Sequence, residues 1–133
     1  MAILTQEMKD MIASQQCFIG TVSSDCQVNV APKMSTRVFD DSTLIFNEGT
    51  GGATWRNIQA NPDRVVVAVV NREIPDGYRF IGHATIEQDG PAYEAAVEMA
   101  KKVGRPVPIA VIKIHVDEIH SLKPGPGAGK PIA

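Results

Sequence analysis

Arg64-Val65-Val66-Val67-Ala68-Val69-Val70 is the stretch that decides the fold, because six of its seven residues are apolar and five are valine. Valine is stiff at its first side-chain torsion, which disfavours a helix and suits a pleated strand. The preceding Asn61-Pro62-Asp63 breaks the chain, so the strand has a sharp start. Apolar residues on both parities predict a strand covered on both faces. A strand of this kind suits a barrel wall or a contact between two copies of the chain.

Downstream, Tyr78 to Glu87 alternates with a break at Gly82, Val107 to Val116 reads as another buried strand, and Ile119 to Leu122 as a shorter one. Upstream, the runs Cys17 to Ser23, Val28 to Phe39 and Thr43 to Asn47 are separated by the turn signals Ser24-Asp25 and Asp40-Asp41, and predict a meander of three antiparallel strands. Helices fill only the gaps. Thr5 can cap a helix from Gln6 to Ser14, with Met8, Met11 and Ile12 at helical spacing. Asp89-Gly90-Pro91 starts another that runs through Lys102 and stops at Gly104. Six or seven antiparallel strands in so short a chain predict a mainly β fold, a closed or nearly closed barrel, since closure removes exposed edges. Residues 1–123 are expected to form its single domain. Residues 124–133, rich in proline and glycine, form a tail that can be neither helix nor inner strand.

A chain of 133 residues buries about 65–70% of the surface its unfolded form exposes, so it needs neither metal nor disulfide to fold. Thirteen basic and fifteen acidic residues leave a formal charge of −2, and no global field recruits nucleic acid or an anionic membrane. Cys17 and Cys26 lack CxxC spacing and predict reduced thiols. With no targeting or membrane-spanning pattern at the N-terminus, a cytoplasmic location is expected. His83, His115 and His120 lack metal-ligand spacing, and no metal is expected.

Between two of these elements runs Ile45-Phe46-Asn47-Glu48-Gly49-Thr50-Gly51-Gly52-Ala53-Thr54-Trp55-Arg56-Asn57-Ile58-Gln59-Ala60-Asn61-Pro62, an apolar strand followed by a glycine-rich turn and a short helix. Glycine lets consecutive amides face one point, and the first turn of a helix adds free amides and a favourable dipole, so this segment can hold a phosphate. Thr50 and Thr54 offer hydroxyls there and Arg56 a charge. The pattern is neither the Rossmann fingerprint nor a P-loop. Any ligand is expected on the outside of the barrel or between subunits, because side chains fill the interior of so small a barrel.

The segment 53–65, together with Phe18-Ile19-Gly20-Thr21-Val22, Pro32-Lys33-Met34-Ser35 and Gly82-His83-Ala84-Thr85-Ile86 ahead of Asp89-Gly90, resembles the flavin-binding split barrels related to pyridoxamine 5′-phosphate oxidase. The resemblance covers nearly the whole chain. It implies a Greek-key-like split β-barrel that forms a homodimer with two shared FMN sites. By position, Thr54 matches the hydroxyl on the flavin phosphate, and Lys33, Met34 and Ser35 match the strand along the phosphate and ribityl chain. Phe46, Asn47, Thr50 and Gly51 match the strand end and turn at the isoalloxazine, with Trp55 and Arg56 beside them. Asn57 reads as structural. Ala53 departs from the basic residue that relatives carry, so Lys33, Arg56 or Arg37 must supply the cation. Tyr78, Arg79 and the tail are candidates for a substrate-side wall.

The resemblance implies an FMN-dependent oxidoreductase or flavin reductase acting on a small redox substrate. It does not extend to true pyridoxamine phosphate oxidase activity, because the chain lacks that enzyme's C-terminal dimer segment and its arginine and histidine pairs for substrate phosphate. The alternatives are a non-catalytic FMN carrier or electron-transfer protein, or a binder of deazaflavin or haem in the same cleft.

Overall fold

The valine run forms the third strand from one edge of a seven-stranded antiparallel sheet. The computed structural model describes residues 1–133. In chain order the elements are α1 (Gln6–Ser14), β1 (Cys17–Val22), β2 (Val28–Pro32), β3 (Arg37–Asp40), β4 (Thr43–Glu48), α2 (Ala53–Ala60), β5 (Val65–Asn71), β6 (Asp76–Glu87), α3 (Pro91–Lys102) and β7 (Ala110–Ser121). Thr5 closes a capping box on α1, whose Met8, Met11 and Ile12 are buried. Gly104, with φ +71°, follows the end of α3, where a left-handed residue is needed.

The strands lie in the order β2-β1-β5-β6-β7-β4-β3. Ile19 of β1, near one edge, and Leu44 and Phe46 of β4, near the other, belong to one buried core with Val67, Phe80, Ile112 and Ile114. The sheet is therefore rolled up. No ladder joins the edge strands β2 and β3, so the barrel is split, as the resemblance implies. Each large side chain sealed in this core contributes about 1.5–3 kcal/mol, which outweighs any single surface contact.

Three expectations are corrected. The run Val28 to Phe39 is two strands, and β1 to β4 do not form a meander: β2 pairs with β1, β3 pairs with β4, and β4 pairs with β7. Residues 33–36 turn between them, with Thr36 donating from its amide and its hydroxyl to the Lys33 carbonyl at 3.1 and 2.7 Å. The two expected strands after α3 are one, β7. Its register against β6 shifts between the pairs Gly82 with Val116 and Ile81 with Glu118, leaving Asp117 as a bulge. Gly82 is required opposite this bulge, since a Cβ there would lie 2.4 Å from the His115 carbonyl oxygen.

The third correction concerns β5, which is covered on one face only. Val65, Val67 and Val69 point inward at 2% exposure or less, whereas Val66 and Ala68 are half-buried and Val70 is exposed. On the same outward face lie Phe18, Val28 and Val30, exposed at 42, 82 and 68%. Gly20 lets Val66 lie across β1, because a Cβ there would meet the Val66 side chain at 2.5 Å.

The C-terminal residues fold back along β7. The Ile132 amide donates to the Ile119 carbonyl at 2.8 Å, Ser121 to Lys130 at 3.0 Å and Gly129 to Ser121 at 2.7 Å. Pro131 bridges His120 at this edge. No helix is long and apolar enough to cross a membrane.

Candidate functional site

The glycine turn does form an anion seat, and the protein fills it with its own carboxylate. Glu48, the last residue of β4, is fully buried. Its Oε2 accepts from the Thr50 amide at 3.0 Å, the Gly51 amide at 3.0 Å and the Thr50 hydroxyl at 3.2 Å. Its Oε1 accepts from Lys33 Nζ at 3.1 Å. Gly51 takes φ +69°, a conformation that costs L residues strain, and so turns its amide onto Glu48. Burial alone would raise the Glu48 pKa, but the Gly51 amide, Lys33 and the Thr50 amide together hold it below the usual 4.5. The group is therefore an anion at neutral pH.

Lys33 is held in the same network. Its side chain is 14% exposed and its Nζ also lies 5.8 Å from the centre of the Phe46 ring. Of the three cations offered by the sequence to replace the one missing at Ala53, Lys33 is already matched by Glu48. The sequence signal was an acidic residue two and three positions before Thr50 and Gly51, where a carboxylate can reach back to their amides.

The candidate residues divide into two groups. Ser35, Asn47 and Arg37 come together: the Asn47 amide donates to Ser35 Oγ at 2.8 Å, and Arg37 donates to Asn47 Oδ1 at 3.2 Å and to the Ser35 carbonyl at 2.8 Å. Met34, 82% exposed, stands beside this cluster. The others do not join it. Phe46 is sealed in the core at 0% exposure, which turns its ring away from any ligand outside the barrel.

Thr54 is buried, correcting the exposed helix-start hydroxyl expected from sequence, and its Oγ1 accepts from Asn29 Nδ2 at 3.4 Å. This follows from how α2 docks on β1 and β2. Its buried face is Thr54, Asn57 and Ile58, and Asn57 Nδ2 donates to Thr21 Oγ1 at 3.1 Å, the structural role expected of it. Trp55 is half-buried against the core. Arg56 is exposed and in no ion pair, and the first turn of α2 has no side-chain cap at Gly52.

The outward apolar residues border a groove of about 630 Å³ lined by Gly20, Val22, Val28, Val30, Val66 and Ile81, with Arg64 also contributing. Neighbouring positions on β6 and β7 are polar. Arg79 donates to His120 Nδ1 at 3.0 Å from Nε, and to the Gly129 carbonyl at 3.4 Å. A ring nitrogen that accepts from arginine carries no proton, which puts the His120 proton on Nε2, 2.8 Å from Glu118 Oε1. His83 pairs with Asp117 at 2.9 Å and stacks on His115 at 5.0 Å between ring centres. Of the residues considered for a substrate-side wall, Tyr78 faces the interior at 7% exposure, while Arg79 is on the outside.

A family model described as pyridoxamine 5′-phosphate oxidase matches residues 4–123. The crystal structure of HupZ from Group A Streptococcus is 45% identical, covers 96% of this chain and 100% of its own, and superposes with a TM-score of 0.85. An uncharacterized protein of Methanocaldococcus jannaschii is 30% identical over 133 residues, 98% of this chain and 88% of its own length. An FMN-binding protein from Syntrophomonas wolfei shares the fold at 16% identity and a TM-score of 0.75, covering 88% of this chain and 84% of its own. HutZ, a heme storage protein from Vibrio cholerae, shares it at 15% identity and a TM-score of 0.66, covering 89% and 94%. At the last two identities the likeness is one of fold alone.

Proposed function

The chain belongs to the pyridoxamine 5′-phosphate oxidase family, and from that premise we propose that it is an FMN-binding flavoprotein whose flavin sits between two copies of the chain. The observation that carries this reading is the cluster of Ser35, Arg37 and Asn47, where the hydroxyl of the turn before β3, the guanidinium at the start of β3 and the side-chain amide of β4 meet. Guanidinium and hydroxyl donors suit a phosphate, and an amide side chain suits the edge of a ring that both donates and accepts hydrogen bonds. The residues fit FMN at this cluster, with Arg37 as the cation, rather than in the glycine turn.

When bound, the flavin supplies hydride or electron transfer between a reduced donor and an acceptor. The chain's own residues orient and bind. Arg37 stays charged at every working pH, and serine and asparagine do not exchange protons near neutrality, so the cluster holds no general acid or base. This favours, as a second reading, an FMN carrier or electron-transfer protein over a dehydrogenase. The exposed valines of β2 and β5 with Phe18 support burial against a second copy of the chain.

The absorbance spectrum of freshly purified protein tests the ligand. The two-banded spectrum of a flavin is expected; a Soret band, or the single near-ultraviolet band of a deazaflavin, would replace FMN by that ligand. Oxidation of reduced nicotinamide above the rate of free FMN separates an enzyme from a carrier. Light scattering tests the assembly, with a flavin-loaded monomer of 14.3 kDa as the result that removes the shared site.

A further inference from the structure

We propose that Glu48 is a resident anion, filling the seat made by the Thr50 and Gly51 amides, the Thr50 hydroxyl and Lys33, and that it sets ligand specificity by closing this turn to phosphorylated groups. Three features carry the assignment. The seat is complete: one carboxylate takes four donors within 3.0 to 3.2 Å, and no buried polar side-chain atom in the chain lacks a partner. The seat also suits an anion, since backbone amides turned onto one point by a left-handed glycine are the groups that elsewhere hold phosphate.

The third feature is charge. The lone cation reaching the seat is the one that Glu48 neutralises, so an arriving phosphate would meet a buried carboxylate with no free lysine beside it. A binding loop built on glycine, threonine and lysine has thereby become a structural closure. For the ligand the consequence, which rests on the flavin reading above, is that this turn gives FMN no advantage over riboflavin.

Glu48→Ala empties the seat and leaves Lys33 and both amides without their acceptor. The expected result is that this variant is destabilised in chloride and regains stability in formate or inorganic phosphate at matched ionic strength. Its Tm should rise by about 5 °C for an anion at ten times its dissociation constant. In the nuclear magnetic resonance spectrum, the variant's Thr50 and Gly51 amide signals should shift saturably with phosphate, and those of the wild type should stay fixed. Glu48→Gln, which keeps the volume, should remain insensitive to phosphate.

A structural role without an anion seat would give the same loss in chloride and no rescue. The proposal is overturned by wild-type Thr50 and Gly51 signals that titrate with phosphate. It is equally overturned by an alanine variant that no anion restores, including one that folds in none of the buffers. Failure of wild type to bind any flavin would remove the flavin reading while leaving the rescue measurements to judge Glu48.

Discussion

Replacing Lys33 with methionine should cost this protein about 3 kcal/mol at pH 7. The pair it breaks is buried on one side completely and on the other nearly so, at 0 and 14% side-chain exposure for Glu48 and Lys33. Removing one partner of such a pair costs about 3–5 kcal/mol, because the other is left charged in a poorly solvated place. Two amides and a hydroxyl still hold the carboxylate, which puts the expected cost at the low end. Methionine conserves most of the volume and can lie against the Phe46 ring as Lys33 does, so little of the effect comes from packing.

Urea denaturation measures it. With an m value of about 2 kcal/mol/M the midpoint should fall by about 1.5 M. The pH dependence carries the diagnostic sign. In wild type the folded Glu48 pKa is depressed below the usual 4.5, so its stabilisation is fully present above that value and is lost as pH falls through the depressed one. Without Lys33 that pKa rises. The gap between the two proteins is therefore widest near pH 7 and narrows in acid. A deficit under about 1 kcal/mol, or one that stays constant from pH 7 to pH 3, would show that the pair does not hold the turn.

Arg37→Met should weaken FMN about tenfold or more while changing riboflavin less than about twofold, measured by fluorescence titration; equal losses would take Arg37 off the phosphate. Iodoacetamide at pH 8 should label Cys26 and spare Cys17, whose burial pushes its thiol up to about 11, and mass spectrometry of tryptic peptides should find one modified cysteine. Asn57→Ala should destabilise by about 2 kcal/mol, since it leaves the buried Thr21 hydroxyl without its donor; a midpoint within error of wild type would make that contact dispensable.

What the sequence disclosed was local. Thr5 and the apolar spacing after it placed α1 because a cap and one helical face lie within ten residues. The valine run placed β5 for the same kind of reason, and Asn57 was read as a tie before its partner was known. Pairing was less legible. Val28 to Phe39 reads as one run because nothing within it records that β2 and β3 go to opposite edges. Asp117 divided β7 in the reading because a bulge interrupts alternation without ending a strand.

At the site, glycine and threonine predict donors turned toward a phosphate, and in the structure those donors go to Glu48. The donors are legible as a pattern, whereas their acceptor, Glu48, stands one residue ahead of the turn and is marked only by its spacing from Thr50 and Gly51. Family resemblance puts Ser35 and Asn47 at different parts of one ligand, and the structure joins them by a hydrogen bond. The resemblance assigned Lys33 and Thr54 by position without knowing that each already had a partner inside the chain.

The two extremities of the chain lie against the same margin of β7, the part that β4 leaves uncovered. The Ala2 amide donates to the Val116 carbonyl at 3.0 Å and the Ile132 amide to the Ile119 carbonyl at 2.8 Å. Three residues of strand separate the two attachment points, about 10 Å. A short linker can therefore join residue 133 to residue 1 without crossing the barrel, and new termini can be opened at the exposed Ser24-Asp25 turn. Such a circular permutant keeps every strand pairing, so the order of translation and the order of the sheet can be varied independently in this protein. It also releases β1 and β2 from one another in sequence, which makes their hairpin a point at which a peptide could be inserted, or the chain divided into two complementing fragments.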